Sequence, residues 1–331
     1  MSMDWEGKKF CGMDLKWDYQ NRTCDLSMHG CVHKALQKIN NWKPTKLRHA
    51  PSNFTPPQYG QKIQLTTTDD TKPLNLLEIK ALHQVIRSFL FYGRAVDETM
   101  LHCLNSLASA QSEGTQKTKE AMYHFLDYCA THPDATIRFY ASDMILKIHS
   151  DASYLTESRA RSRVGGYFFL GDKQNKMYNN GAVHVIAQII KNVVSSAAEA
   201  EIAAVFINAK GAVPLRHTLM EMNHPQPPTE ITTDNSTAAN ILNKTCKQTR
   251  SKAIDMRYYW VRDRITQKQF CLMWKPGDQN LADYFTKHHS PAHHKKMRST
   301  HLQLANLSMS EGVLIGQTLT QEALRNLKPV E

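Results

Sequence analysis

Several features are missing from this 331-residue sequence, and each absence excludes a class of protein. No uninterrupted apolar run reaches the length of about 18 residues that a membrane-spanning helix needs. The first ten residues, MSMDWEGKKF, lack the apolar segment of a secretory signal. None of the seven cysteines forms a CxxC pair, which predicts reduced thiols in a reducing compartment rather than a disulfide framework. We therefore expect an intracellular protein with no membrane partner.

What the sequence has in excess is positive charge. Its 41 lysines and arginines outnumber its 30 aspartates and glutamates, giving a formal net charge of +11. A hydrophobic content of 41% is high enough for a folded core, and the length allows two or three domains. The basic excess favours a polyanionic partner, either nucleic acid or an anionic membrane surface, although solubility alone also explains such a charge.

The first 143 residues read as a hairpin, a linker and a set of helices. Residues 10–28 alternate apolar and polar side chains around Gln20-Asn21, which predicts a β-hairpin followed by a short helix. Residues 43–75 are rich in proline and polar side chains and predict a long linker or an extended surface path. Three helical runs follow between Leu74 and Ala130. They carry no cluster of reactive groups, so we interpret them as structural.

The pattern changes after residue 143. Strands are expected at 144–149, 164–170, 182–187, 230–233 and 270–274. Helices are expected from Ser195-Ser196 onward and over 235–243, 250–266 and 280–288. Pro214 predicts a kink or a new helix start. The order β-β-β-α-β-α-α-β-α predicts an α/β domain with a mixed sheet.

Four carboxylates in this region are candidates for metal binding: Asp151, Glu201, Asp234 and Asp283. Asp151 and Asp234 are expected at strand ends, whereas Glu201 and Asp283 are expected in the first turns of helices. Four carboxylates brought together repel each other unless cations bind, and hard oxygen ligands select Mg²⁺ or Mn²⁺. Two such ions, about 3.5–4 Å apart, can clamp an in-line phosphodiester displacement. Taken singly, however, an acidic residue at a strand end is more often a cap or turn residue.

Five motifs resemble, in order and spacing, the ribonuclease H domain in the pol polyproteins of copia-type LTR retrotransposons. They are HSDASYL (149–155), SSAAEAEIAA (195–204), ITTDNSTAANIL (231–242), RSKAIDMRYYWVRDRI (250–265) and NLADYFTKH (280–288). Upstream, FCGMDLKWDYQNRTCDLSMHGCVHKAL (10–36) resembles the end of a reverse transcriptase palm running into its thumb. FYGRAVDETMLHCLNSLA (91–108) resembles the connecting segment.

This resemblance implies a fold and a domain order. The fold is α/β, a ribonuclease H-like mixed sheet flanked by helices and preceded by a β-hairpin and a helical connection region. The implied domains are 1–42, a palm and thumb edge; 43–143, the linker and connection; 144–295, the ribonuclease H-like domain; and 296–331, a C-terminal tail. The implied location is the cytoplasm, in a virus-like particle, or the nucleus. The implied partners are an RNA–DNA hybrid and the remainder of the reverse transcriptase.

The resemblance also implies the chemistry, hydrolysis of the RNA strand of an RNA–DNA hybrid with two Mg²⁺ ions, Mn²⁺ being an alternative. In the two-metal scheme Asp151 bridges both ions, and Asp234 and Asp283 hold the ion that generates hydroxide. Glu201 shares the ion that stabilises the leaving 3′ oxygen. Periodicity does not separate Glu201 from Glu199, since neither is on the predicted buried stripe. Related ribonucleases H have a small residue three positions after the glutamate, and Ala204 fits this for Glu201 better than Ile202 does for Glu199.

A basic stretch before the last strand is the candidate nucleic-acid contact. Its candidate phosphate-binding residues are Lys247, Arg250, Lys252, Arg257 and Arg264. Arg250, Arg257 and Arg264 share one face of a helix, and three aromatic residues, 258–260, interleave with the basic ones. The alternative is a solvated helix face whose aromatics pack inward.

Two departures limit the resemblance. The loop 275–280 lacks the mobile histidine of many cellular ribonucleases H, which leaves His288 and His289 as untested candidates for moving a proton. Asp69-Asp70 lies in the polar segment TTTDDTK and is interpreted as a loop, not as a polymerase aspartate pair, so we expect no DNA synthesis from this chain alone.

The histidine-rich segment 288–296 lacks the cysteines and spacing of a structural zinc site. The alternative function is a non-catalytic, nucleic-acid-binding remnant or scaffold.

Overall fold

The computed structural model describes residues 4–55, 69–173, 180–243 and 255–303. Within these ranges, no helix combines the length and the apolar composition that crossing a bilayer requires.

The N-terminal part is built on a four-stranded antiparallel sheet. Its strands are β1 (Lys9–Phe10), β2 (Met13–Asp18), β3 (Thr23–Ser27) and β4 (Thr136–Tyr140), in that order across the sheet. The predicted hairpin is therefore confirmed as β2 and β3. The sequence does not predict β4, which pairs with β3 from a distant part of the chain. Arg138 on β4 donates two hydrogen bonds to Asp25 on β3, at 2.6 and 2.7 Å.

Four helices cover this sheet: α1 (Cys31–Lys38), α2 (Leu76–Ala95), α3 (Leu101–Ser109) and α4 (Gln116–Thr131). Asn75 caps α2 in a capping box with Glu78, and Thr115 caps α4, which fixes where both helices begin. Their apolar faces form one core with Ile137 of β4, as the helical spacing predicts.

The second sheet has five strands in the order β7-β6-β5-β8-β9. They are β5 (Ile145–Glu157), β6 (Arg161–Gly171), β7 (Ala182–Ile189), β8 (Thr229–Thr233) and β9 (Phe270–Trp274). The first three pair antiparallel, and β8 and β9 then join parallel to β5. This mixed sheet confirms the predicted α/β fold.

Helices cover both faces of the mixed sheet. On one face lie α5 (Ala197–Glu221), α6 (Ser236–Leu242) and α7 (Asp255–Thr266), packed on β5 residues such as Leu146 and Ile148. On the other face, a 3₁₀ turn (Leu281–Phe285) and α8 (Pro291–His301) pack against Tyr167 of β6. The 3₁₀ turn replaces the longer helix predicted for 280–288, because Asn280 caps a short turn and α8 restarts at Pro291.

The expected end of one strand is wrong, and so is one of the two alternatives for Pro214, a new helix start. Asp151 does not end its strand, because β5 continues to Glu157 through antiparallel pairing with β6. The parallel pairing of β5 with β8 does stop just before it, at His149 and Thr232. Pro214 lies inside α5 without dividing it, and the helix runs unbroken to Glu221.

A buried arginine on α8 joins the mixed sheet's far face to the N-terminal helices. Arg298 donates hydrogen bonds to Asp97 at 2.5 Å, to Thr99 at 3.1 Å and to the hydroxyl of Tyr128 at 2.9 Å. Another donor of Arg298 reaches the carbonyl of Asp134 at 2.9 Å. The helix is thus part of the folded core, whereas residues after 303 lie outside the described ranges.

Candidate active site at the carboxylate cluster

Three of the four predicted carboxylates meet at one rim of the mixed sheet. Oxygen atoms of Asp151, Glu201 and Asp234 all lie within 4.8 Å of one another. Asp151 comes from β5, Glu201 from the first turns of α5, and Asp234 directly follows β8. Asp151 and Glu201 are 3% and 5% exposed, and Asp234 is half-buried. A set of acidic oxygens this close is a potential metal site.

The structure separates Glu201 from Glu199, which the periodicity of the sequence does not. Glu201 accepts hydrogen bonds from the Ala152 amide at 3.2 Å and the Thr233 hydroxyl at 3.3 Å, which aim it into the cluster. Glu199 instead accepts from the Ser195 amide at 2.6 Å and the Ser195 hydroxyl at 2.5 Å. Both are buried, contrary to the expectation. Glu199 therefore binds Ser195, which lies just before the N-terminus of α5, whereas Glu201 lies in the carboxylate cluster.

Asp283 lies beside this group, on the 3₁₀ turn, and is not part of the set within 4.8 Å. Its carboxylate contacts the ammonium of Lys287, four residues later. Its charge still reaches the cluster, because it raises the pKa of both Asp151 and Asp234. Asp283 thus acts on the cluster through its charge without joining the set of close oxygens.

Three hydrogen bonds hold the Asp283 turn against β5. The side-chain amide of Asn280 donates to the Ser150 carbonyl at 2.9 Å. The backbone amide of Leu281 donates to Nδ1 of His149 at 3.0 Å. The Thr286 hydroxyl donates to Oδ2 of Asp151 at 2.6 Å. None of these positioning residues is predicted from the sequence, because a polar side chain next to a motif carries no sign of its partner.

Glycines allow the elements around Asp151 to approach this closely. Gly165 is the β6 partner of Asp151, and a Cβ there would lie 2.4 Å from the carbonyl oxygen of Ala282. A Cβ on Gly166 would lie 2.1 Å from Oδ1 of Asn208. The Asn208 amide donates to the Ser150 hydroxyl at 2.8 Å and to the Gly165 carbonyl at 3.0 Å. The glycine pair inside a predicted strand was the available signal for such close packing.

The electrostatics of the cluster favour a bound cation. Burial, and then the charge of Asp283, raise the pKa of Asp151 to about 7. Burial and the neighbouring Asp151 and Asp234 raise the pKa of Glu201 well above its usual range. Within the described residues, no lysine or arginine is hydrogen-bonded to Asp151, Glu201 or the carboxylate of Asp234. The donor set is all oxygen, which suits Mg²⁺ or Mn²⁺.

Two of the five predicted nucleic-acid-binding residues, Arg257 and Arg264, lie in the part of the chain that the structure describes. Lys247, Arg250 and Lys252 lie outside the described residues. Arg257 and Arg264 are two turns apart on one face of α7. Arg264 stacks 5.1 Å over the ring of Trp260 and donates to Gln269 at 3.2 Å.

The aromatic residues of α7 divide between core and solvent. Tyr258 is buried, whereas Tyr259 is 63% exposed. The helix therefore has both an inward aromatic face, as the alternative interpretation proposed, and an exposed face carrying an aromatic ring.

The two candidate histidines are engaged with other rings. His288 lies 4.3 Å from His102, and burial lowers the pKa of His288 to about 4. His289 stacks on Tyr284 at 4.7 Å.

In the part of the chain that the structure describes, Asp151, Glu201 and Asp234 form the one group spaced for a metal ion. Asp69 accepts hydrogen bonds from Thr71 and Thr115 in a loop, as expected.

The chain is similar in sequence to a retrotransposon polyprotein. No family model matches the chain. The chain is 27% identical over 282 residues to the retrovirus-related Pol polyprotein from transposon TNT 1-94 of Nicotiana tabacum. The match covers 85% of this chain and 20% of the polyprotein, so the chain spans about a fifth of the length of that relative.

The similar solved structures include ribonucleases H and a viral reverse transcriptase. The N-terminal ribonuclease H domain of a Mycobacterium tuberculosis protein is 13% identical, with 47% of this chain and 96% of that one covered and a TM-score of 0.33. A ribonuclease H1 isolated from compost is 12% identical, with 43% and 92% covered and a TM-score of 0.34. The protease–reverse transcriptase of prototype foamy virus is 15% identical, with 49% and 21% covered and a TM-score of 0.27. The predicted recognition is confirmed in that the chain is similar to a retrotransposon Pol polyprotein.

Proposed function

We propose that this chain hydrolyses the RNA strand of RNA–DNA hybrids with two divalent metal ions. The observation that carries the proposal is the convergence of Asp151, Glu201 and Asp234 from three separate elements, with Asp283 beside them. A fold gains no stability from crowding carboxylates in a buried place, so a binding role is the physical reason to keep them together.

The cluster fits the ions that such chemistry needs. Its donors are carboxylate oxygens, and burial and mutual repulsion already raise their pKa values. A divalent ion removes this repulsion, so the cluster gains from Mg²⁺ or Mn²⁺ what the protein does not supply internally. Asp151, Glu201, Asp234 and Asp283 would hold the ions, which would supply an activated water and neutralise charge at the phosphate and the leaving 3′ oxygen.

Each carboxylate has a proposed part. Asp151 is within 4.8 Å of Glu201 and Asp234 and is affected by the Asp283 charge, and it would help to hold both ions. Asp234 and Asp283 would hold one ion, and Glu201 would share the other. Thr286 keeps Asp151 in a fixed orientation by donating to one of its oxygens.

The proposed substrate follows from charge and from the relative. A net charge of +11 favours a polyanion, and Arg257 on α7 is a described candidate for phosphate contact. A hybrid differs from other duplexes in groove width and in carrying 2′-hydroxyls on one strand. Because the relative is a Pol polyprotein, we also propose that the chain works beside the remainder of a reverse transcriptase.

The second candidate is a binding remnant that does not cleave. It is favoured by exposed aromatic side chains at the N-terminal sheet, where Phe10 is 63% and Tyr19 is 82% exposed. Such a surface fits a chain that associates with a partner. The carboxylate cluster favours the nuclease.

The test is cleavage of a 5′-labelled RNA–DNA hybrid by the full chain in Mg²⁺ and in EDTA. We expect metal-dependent products with 5′ phosphates and 3′ hydroxyls. Asp151→Asn should abolish cleavage, whereas the exposed Asp278→Asn in the neighbouring turn should leave it unchanged. Absence of metal-dependent cleavage, or full activity of Asp151→Asn, would favour the binding remnant.

A further inference from the structure

A cavity of about 610 Å³ lies between the mixed sheet and α8. It is lined from β5, β6 and β8, from α8 and from the loop before the 3₁₀ turn. Of the four candidate metal-binding carboxylates, Asp283 lines it, whereas Asp151, Glu201 and Asp234 do not. A cavity of this volume has room for a small organic ligand. We refer to it as the sheet–α8 cavity.

Strand pairing places three different side chains in one row of this cavity. Phe169 of β6 and Glu230 of β8 are both register partners of Lys147 in β5. Directly paired residues point to the same face of a sheet, so an aromatic ring, an ammonium and a carboxylate lie side by side. All three line the cavity. The sheet therefore offers an apolar surface next to polar groups.

A fixed hydrogen-bond acceptor and a fixed donor meet at the β8 end of this row. The ammonium of Lys275 donates to Oε1 of Glu230 at 2.8 Å, and the backbone amide of Lys275 donates to the Thr233 carbonyl at 3.0 Å. The side chains of Glu230 and Lys275 are 18% and 34% exposed, and both line the cavity. A ligand there meets a carboxylate and an ammonium next to each other.

His149 adds a neutral donor to the lining. Its Nδ1 accepts a hydrogen bond from the backbone amide of Leu281 at 3.0 Å, so the ring proton is on Nε2. The ring is 9% exposed and lies edge-on to Phe169, with 5.5 Å between the centroids. The buried imidazole thus presents one N–H group at the cavity, and the turn at Leu281 fixes which nitrogen carries it.

The charges of the lining are nearly balanced. Three lysines, Lys147, Lys275 and Lys296, are opposed by Glu230 and three aspartates. This balance gives no net attraction for a polyanion, in contrast to the +11 charge of the whole chain. An uncharged ring that has donors and acceptors of its own fits better, because it can pair with groups of both signs.

Apolar contact for such a ring comes from both sides of the cavity. Phe169 of the sheet and Met297 of α8 both line it, and both pack on the apolar cluster that contains Tyr284. An aromatic or apolar surface beside directed polar groups is how proteins hold an unstacked nucleobase.

We propose that the sheet–α8 cavity binds a guanine base. Guanine has the acceptor O6 next to two donors, N1–H and the 2-amino group, along one edge. Glu230 accepts from the two donors, and Lys275 donates to O6. Adenine places an amino group where O6 meets the ammonium, and uracil places a carbonyl where the 2-amino group meets the carboxylate. Both of these bases therefore fit worse.

Guanine binding here is independent of the proposed hydrolysis, because Glu230, Lys275 and His149 are not the proposed metal ligands. The base has two possible sources, a free nucleotide or an unpaired position in a nucleic-acid strand. The cavity shares Asp283 with the candidate active site, so a strand held by its guanine would lie beside the carboxylate cluster.

The test is calorimetric titration of the full chain, in EDTA, with guanosine, inosine and adenosine 5′-monophosphates. The three nucleotides carry the same phosphate, so differences in affinity report the base. The guanine nucleotide should bind about tenfold or more tightly than the adenine nucleotide. The inosine nucleotide, which lacks only the 2-amino group, should lose about tenfold relative to guanine.

Matched variants assign the effect to the cavity. Glu230→Gln keeps the shape of the side chain but replaces one acceptor oxygen by a donor, and it should abolish the preference for guanine. Glu221→Gln makes the same change at the exposed end of α5 and should leave all three constants as in the wild type. The thermal transition without ligand verifies that each variant is folded.

Two RNA pentanucleotides, AAGAA and AAAAA, distinguish the sources of the base. Tighter binding of AAGAA would assign the cavity to a strand, whereas selectivity confined to the free nucleotides would assign it to a nucleotide ligand. Equal constants for the guanine and adenine nucleotides, or an unchanged preference in Glu230→Gln, would contradict guanine recognition. Absence of binding at a few millimolar of each probe would also contradict it. None of these results bears on metal-dependent cleavage, which has its own test.

Discussion

Among the described residues, two of the buried clusters of charged side chains, one around Arg298 and one around Asp151, differ in how their charges are balanced. Around Arg298, the carboxylate of Asp97 meets a guanidinium at 2.5 Å, and Thr99 and Tyr128 complete the hydrogen bonds. Around Asp151, two further carboxylates approach within 4.8 Å, and the described residues bring no arginine or lysine into hydrogen-bond contact with those three. The first cluster supplies its own counter-charge and holds two parts of the protein together. The second has no such counter-charge in hydrogen-bond contact among the described residues, which fits the cation site proposed for it.

The difference in charge balance also separates a buried charged side chain that stabilises the fold from one that belongs to the candidate binding site. Arg298 is 3% exposed and reaches the carbonyl of Asp134 as well as Asp97, so it connects α8 to the N-terminal helices. Asp151 is equally buried, yet its direct contact with a neighbouring side chain is the hydroxyl of Thr286. Depth of burial alone does not separate the two roles, but the balance of charge does.

Removing the internal cation should have the largest effect. Arg298→Met leaves the buried Asp97 without its partner, and we expect the free energy of unfolding to fall by about 3–5 kcal/mol. Urea denaturation of the variant measures this. Lys295→Met, an exposed change on the same helix, should alter the stability by less than about 0.5 kcal/mol. A loss below about 1 kcal/mol for Arg298→Met would contradict the structural role.

The second cluster should instead make stability depend on pH and on metal. The pKa of Asp151 is raised to about 7, so between its ordinary value of 3.8 and about 7 the folded state holds a proton that the unfolded state has lost. Stability in EDTA should therefore fall as pH rises through this window, with Asp151 alone contributing up to about 1.4 kcal/mol per pH unit. Denaturation midpoints across pH 4–8 measure it.

A divalent ion should remove this loss, because it takes over the neutralising role of the proton. Asp151→Asn should flatten the same profile in EDTA. If the stability of the wild type in EDTA rose with pH, the expected repulsion among the buried carboxylates would be contradicted.

The positioning hydroxyl should have the smallest effect. Thr286→Val keeps the shape of the side chain but removes the donor to Asp151, and we expect cleavage of the hybrid to slow about tenfold. Thr286→Ser keeps the hydroxyl and should recover most of the rate. The measurement is single-turnover cleavage at saturating metal, and equal rates for the valine and serine variants would contradict the role.

Local patterns predicted the elements well. Strict alternation in residues 10–28 identified the hairpin, and Phe270–Trp274 was predicted with its observed bounds. The local pattern around residues 144–149 did not reveal that β5 continues beyond His149. Pairing with β6 extends this strand past the point where its pairing with β8 ends. Strand length here is decided by the neighbouring strands, which a local pattern does not contain.

Long-range contacts explain the remaining differences. The pairing of β4 with β3 and the burial of Arg298 both join residues distant in the chain, so neither has a local signal. The four carboxylates were predicted by their motifs, and the structure brings three of them together and pairs the fourth with Lys287. The choice of Glu201 rested on the small residue that follows it, and hydrogen bonds from Ala152 and Thr233 now give it a geometric basis.

The most direct test of the central claim, that the cluster around Asp151 is a nuclease metal centre, is cleavage of an RNA–DNA hybrid by the full chain. The rate is compared between wild type and Asp151→Asn, each in Mg²⁺ and again after EDTA. The account predicts cleavage by the wild type only with the ion, and a loss of about a thousandfold or more in the variant, since a lost metal ligand removes several kcal/mol of transition-state stabilisation. Equal rates for the two proteins in Mg²⁺, or cleavage by the wild type that survives EDTA, would contradict it.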